Sequence, residues 1–81
     1  MQIETIGPYQ LHLFAYELPE PGGWDPFLSI LRFDDVIQDF RCVLSRHHAS
    51  TTPAATYDEA IDQARRVGNA LIKSGNLPDQ I

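Results

Sequence analysis

Cysteine is nearly missing from this sequence. Cys42 is the sole one among 81 residues, so no disulfide can close within the chain. The covalent staples on which small secreted domains rely are therefore excluded, and the cytoplasm is the expected compartment. Cys42 stands between Arg41 and Val43 in an apolar stretch, where a small buried hydrophobe is expected sooner than a reactive thiol. Positive charge is scarce as well. Six Lys and Arg stand against 11 Asp and Glu, a formal net charge of -5, and no Lys or Arg precedes Arg32. A non-specific nucleic-acid binder needs a field that attracts phosphate. The whole-chain balance opposes that and leaves room only for a local basic face. No run of about 18 apolar residues occurs, so no membrane-spanning helix is expected. The opening Met1-Gln2-Ile3-Glu4-Thr5 has neither the basic region nor the apolar core of a secretory signal. Internal repeats, heptads and low-complexity tracts are absent too.

What remains is a chain of one-domain length with a core over about residues 9–75. Such a core yields roughly 3–5 kcal/mol of net stability, which leaves little to offset strained catalytic geometry. Tyr9 to Leu18 alternates with period two and is rich in aromatics, the pattern of a strand. Ile3 and Ile6 either extend it or form a short strand of their own, with Gly7-Pro8 as the bend between. Pro19-Glu20-Pro21-Gly22-Gly23 breaks the chain and sets a loop of about five residues. A second strand is expected from about Trp24 to Phe33, with Pro26 suggesting an edge or entry position. Asp34-Asp35 is a candidate two-residue turn into a third strand, about Val36 to Ser45. Arg46 to Ala55 then forms a polar connection longer than usual, either a crossover along the sheet edge or a mobile loop.

The helix is the clearest element. Thr56 and Glu59 make the Thr-x-x-Glu start that satisfies free amide donors. Tyr57, Ala60, Ile61, Ala64, Val67, Gly68, Leu71 and Ile72 line one face at helical spacing. Asp58, Glu59 and Asp62 suit the positive end of the dipole, and Lys73 the negative end. Gly75 and Pro78 end the element. Gly68 costs about 1 kcal/mol against Ala in a helix, which is explained if helix and sheet approach closely there. The order is β-β-β-α: an α+β fold, a three-stranded antiparallel sheet followed by one C-terminal helix.

One helix covers one face of such a sheet. Under a two-residue turn at Asp34-Asp35, Phe33 faces Val36, Leu31 faces Gln38, Ser29 faces Phe40 and Phe27 faces Cys42. The opposite side then carries Leu28, Ile30, Arg32, Ile37, Asp39, Arg41 and Val43, and a one-residue slip would exchange the two sets. If that second side is the uncovered one, it is too apolar for water. The candidate interaction surface is accordingly Trp24, Leu28, Ile30, Arg32, Ile37, Arg41 and Val43. A second copy packing face to face or edge to edge would cover it, so a homodimer is the expected state, with another protein as the other partner class. Trp24, after Gly22-Gly23, is either a partner anchor or a side chain folded over the helix end or core rim.

The run of Tyr9, Gly22-Gly23-Trp24, Thr56, Glu59-Ala60, Ala64, Gly68 and Ile72 resembles a loose group of small uncharacterised bacterial β-β-β-α proteins. The arrangement over about residues 9–73 is also similar to the partial double-stranded-RNA-binding-like domain of HicB-type antitoxins, which likewise start a helix on Thr-x-x-Glu-Ala. The resemblance implies a small, cytoplasmic, self-associating protein without a transferable active site.

The chemistry-bearing residues give weaker patterns. Zinc needs four well-spaced N or S ligands; the chain offers His12, His47, His48 and Cys42, and adjacent histidines in an extended chain diverge. No metal or cofactor is expected. Ser45, Ser50, His47 and Asp39 are not framed by any nucleophile motif, and Gly22-Gly23 lacks the pattern of a phosphate loop, so no catalytic residue is assigned. A sheet face can enter a major groove, as the similar plant ethylene-responsive-factor domain does, and Arg32, Arg41, Arg46 and Trp24 could supply contacts. The competing reading is an Arg32–Asp39–Arg41 ladder that merely pairs across two strands.

Overall fold

The computed structural model describes residues 1–20, 22–75 and 77. Strands β1 (Gln2–Ile6), β2 (Tyr9–Glu17), β3 (Trp24–Asp34) and β4 (Asp39–His48) form an antiparallel meander in the order β1-β2-β3-β4, and helix α1 (Tyr57–Ser74) follows. The architecture is α+β with a C-terminal helix, but the sheet has four strands rather than three. The added strand is β1. Gly7, at φ 57°, and Pro8 form a two-residue turn that folds β1 back on β2, Ile6 opposite Tyr9 and Gln2 opposite Leu13. Five residues are too few to display period two clearly, whereas Gly at the first position of a tight hairpin turn is the decisive feature.

Pro26 takes the entry position, third residue of the inner strand β3, and not an edge; it is buried opposite Ala15. Its carbonyl accepts from the Ala49 amide at 2.9 Å on the β4 side. The missing N–H points the same way, just past the end of β4, so no ladder bond is lost.

The β3–β4 turn also differs from expectation. It comprises Asp35 to Gln38, with Phe33 opposite Phe40, Arg32 opposite Arg41 and Leu31 opposite Cys42. A two-residue hairpin of the favoured kind needs positive φ at one or both central positions. The longer turn asks it of Gln38 alone, at 57°, and Asp34 Oδ1 closes it by accepting from the Val36 amide at 2.9 Å. Val36, 91% exposed, and Ile37, 52% exposed, therefore belong to the turn and not to a strand. The register moves by four residues. That number is even, so the two side-chain sets stay intact.

Further along, β4 shifts register twice against β3, around Ile30. Val43 and Leu44 both lean onto the core as a result. Arg46 takes a left-handed φ of 47°, and its amide donates to Ser29 Oγ at 2.9 Å. Ser29 is the buried polar side chain of the sheet, placed to satisfy an amide that the bulge removes from the ladder.

The core lies on one side only. Leu11 and Leu13 from β2 and Leu28 and Ile30 from β3 are fully buried against Ala60, Ile61, Ala64 and Gly68 of the helix. Small helix residues over large sheet residues bring the two layers close. A Cβ on Gly68 would stand 3.0 Å from Leu11 Cδ2 and 3.1 Å from Leu28 Cδ1, which accounts for the glycine on the apolar stripe. At the helix start Thr56 Oγ1 accepts from the Glu59 amide at 3.1 Å, the half of the expected reciprocal cap that the structure shows, and Gly75 caps the other end at φ 73°. Pro78 lies outside the described residues. The connection between β4 and α1 is a crossover pinned along β3. Trp24 and Ala54 exchange backbone hydrogen bonds of 2.8 Å in both directions, and Gly23, at φ 81°, leaves room for the Ala54 carbonyl, 2.4 Å from where a Cβ would be.

Four substitutions test these contacts, all read by urea unfolding. Gly68→Val forces Leu11 and Leu28 aside and costs about 1–3 kcal/mol by overpacking. Gly68→Ala, whose helix gain of about 1 kcal/mol offsets a shift of flexible leucine tips, stays close to wild type. Ser29→Ala strands the Arg46 amide and costs about 1–3 kcal/mol, whereas Arg46→Gly is neutral or stabilising because glycine takes the left-handed conformation without strain.

Candidate interaction surface

The helix packs on β2 and β3 from one side. Cross-strand register places Leu11 with Ile30 and Leu13 with Leu28 on that side, together with Glu4 of β1. The expected surface residues consequently do not form one exposed patch. Leu28 and Ile30 are 0% exposed beneath the helix. Val43 is half-buried against the core, and Ile37 sits in the hairpin turn. Arg32 and Arg41 are cross-strand neighbours on the helix side. Trp24 is half-buried and packs edge-on against Tyr57, centroids 5.4 Å apart, the rim position and not a free anchor. The physical reason is visible on β2. Tyr9, Leu11, Leu13 and Ala15 form a wholly apolar side, whereas the other parity mixes Gln10 and His12 with aromatics. The helix takes the drier side, and pairing carries Leu28 and Ile30 with it.

The uncovered side is the other set: Ile3 from β1, Gln10, His12, Phe14 and Tyr16 from β2, Phe27, Leu31 and Phe33 from β3, and Phe40, Cys42 and His48 from β4. Its rings touch one another. Tyr16 meets Phe27 edge-on at 5.4 Å, Phe14 lies parallel to Tyr16 at 6.2 Å, and His48 stacks on Phe27 at 4.7 Å. Phe33 and Phe40 make a second edge-on pair at 5.4 Å. Asp25 Oδ1 meets His48 Nε2 at 2.5 Å, and His12 Nε2 meets Gln10 Oε1 at 2.9 Å. Cys42 is exposed on this side, facing away from the helix, not buried. Phe14, Phe27, Leu31, Phe33 and Phe40 are the surface residues that sequence reading left out. The parity grouping already held four of them together; what it lacked was which side the helix would take.

Most cations lie elsewhere: Arg32 and Arg41 are on the helix side and Arg65, Arg66 and Lys73 on the helix itself, while Arg46 stands at the bulge opposite Ser29 of the open side. Arg41 Nη2 pairs with Asp34 Oδ2 at 2.9 Å, so the expected arginine–aspartate ladder pairs Arg41 with Asp34 instead of Asp39. The Asp34 carboxyl is held below its usual range by the Val36 amide and by Arg41. Arg65 grips Glu4 through Nε at 2.8 Å and Nη2 at 2.7 Å and also reaches Asp62 at 3.2 Å. This ties the edge strand β1 to the helix. Among the described residues no three His, Cys, Asp or Glu side chains converge as metal ligands, and no helix is long and apolar enough to cross a membrane. Comparison with protein-family models, with curated proteins and with solved structures returns no match.

The Arg65 hydrogen bond holds the Glu4 carboxyl below its ordinary value of 4.5. A carboxyl depressed in the folded state adds stability above its unfolded pKa, and that stability is lost as pH falls through the folded one. Acidification below about pH 4.5 should therefore loosen β1 ahead of the core, read as faster amide exchange in residues 2–6. Arg65→Met should flatten that dependence; an unchanged acid profile would assign the loosening to other carboxyls.

Proposed function

We propose that this chain is a non-enzymatic protein-interaction module that works by self-association, with the open sheet face as the surface buried between copies. The observation that carries this reading is the uncovered side itself, where Phe14, Tyr16, Phe27, Leu31, Phe33 and Phe40 gather around a few internally hydrogen-bonded polar groups. Area supports it. Nine residues of β2 at about 3.3 Å each and four strands about 4.8 Å apart give roughly 570 Å² in projection. The relief of aromatic side chains carries the accessible area toward the ~800 Å² per partner of a standard interface. Charge supports it too. The one carboxylate of the face is already engaged by His48, so two copies meet without opposing like charges in bulk. Two such faces would stack about 10 Å apart as a sandwich. A cytoplasmic setting and the likeness to HicB-type domains belong to the same proposal.

The rival reading, nucleic acid on the sheet face, is disfavoured by the same geometry: the arginines that would meet phosphate lie on the helix side, at the hairpin and at the bulge. Aromatic stacking without a positive groove is a poor ssDNA or RNA site.

Light scattering on a sizing column tests the proposal. The native mass should exceed the 9.1 kDa of one chain, and Leu31→Arg should halve it with helix content unchanged by circular dichroism. Cys42→Arg, at an exposed position that costs no packing, should do the same. A native monomer, or a mass untouched by both substitutions, would rule out the face.

A further inference from the structure

The two edges of the sheet are not alike. Edge strands offer unpaired amides and carbonyls to any other strand, and proteins blunt them with bulges, charge or proline. β4 is blunted: it carries two register shifts, a left-handed Arg46 and the polar end Arg46-His47-His48. β1 is not. Gln2–Ile6 is regular along its whole length against β2, contains no proline, glycine or lysine, and exposes Ile3 to 50%. Its single charge, Glu4, is turned to the helix side and neutralised by Arg65.

From this contrast we infer that β1 is a pairing edge for β1 of a second copy, antiparallel about a two-fold axis, making one eight-stranded sheet. The partner is another copy because the edge is self-complementary in one register. Residues directly opposite in an antiparallel pair share a side of the sheet. Setting Glu4 against its own copy would oppose like charges, which is destabilising. Moving one pair along sets Ile3 against Ile3 of the second copy on the open side and Gln2 against Glu4 on the helix side. The chain already makes the Gln2 Nε2 to Glu4 Oε2 contact, at 2.9 Å, so the same chemistry recurs across the joint. The helices do not obstruct it. Each lies over β2 and β3, so the two axes stand about 19 Å apart at a strand spacing of about 4.8 Å, clear of the 8–10 Å of packed helices. The pairing leaves the open face free and adds to face stacking without replacing it.

The test uses the full chain carrying Cys42→Arg, which removes the native thiol and disrupts the face. In that background Ile3→Cys should link two chains under mild oxidation, whereas Glu4→Cys should not. The backbone amides of β1 that face away from β2 should exchange roughly fivefold more slowly once the total chain concentration is about ten times the dissociation constant, as mass action for a dimer requires. Ile3→Lys in the same background should give a monomer. Absence of the Ile3→Cys link together with concentration-independent exchange would overturn the inference. Linkage through Glu4→Cys instead would overturn the register and with it the charge argument. Failure of the face reading would appear separately, as a native mass that Cys42→Arg leaves unchanged while the Ile3→Cys link still forms.

Discussion

A single 18-residue helix against a four-stranded sheet is the constraint from which the rest follows. The helix reaches β2 and β3 and no further, and it reaches them closely because Ala60, Ala64 and Gly68 present almost no side chain to Leu11, Leu13, Leu28 and Ile30. Among the described residues, the fully buried leucines and isoleucine of the sheet all lie in that one contact. The four phenylalanines and Tyr16 are left to the other side, where they make ring contacts with one another and with His48, whereas Tyr9, Trp24 and Tyr57 stay with the helix. Among the described residues no second layer covers that face.

The two sides of the sheet are also electrostatically distinct. On the helix side, cations are spent locally: Arg65 on Glu4 and Asp62, Arg41 on Asp34. These exposed or half-exposed pairs contribute little free energy individually, but they fix positions. Arg65 holds an edge strand that the helix barely covers, and the Asp34–Arg41 pair with the Val36 amide shapes the hairpin. On the open side the polar groups are hydrogen-bonded among themselves, Asp25 with His48 and Gln10 with His12.

Strand ends carry a second layer of organisation. The bulged β4 and the regular β1 differ in how they present backbone, and the difference is written in ordinary residues: a serine positioned to catch a displaced amide in one case, the absence of any breaker in the other. The connection pinned at Trp24 and Ala54 closes the remaining flank of β3. The open face and the regular edge of β1 are therefore two separate features, and each rests on its own observation.

The sequence by itself determined the helix from cap to cap, the period-two character of β2 and β3, the grouping of Phe27, Leu31, Phe33, Phe40 and Cys42 on one side, and the need for a close approach at Gly68. These are local properties, set by spacing and by backbone conformational preference. Tertiary structure alone decided three things. It made Gln2–Ile6 a strand, because five residues become one only when Gly7 turns them onto β2. It lengthened the hairpin turn, because Asp34 can cap a four-residue loop and only Gln38 must turn left-handed. It gave Leu28 and Ile30 to the helix and the phenylalanines to the outside, because a helix lined with alanine and glycine fits the side of β2 bearing Leu11 and Leu13 and not the one bearing Gln10 and His12. Periodicity divides a strand into two sides; which one stays dry is settled by what packs against it.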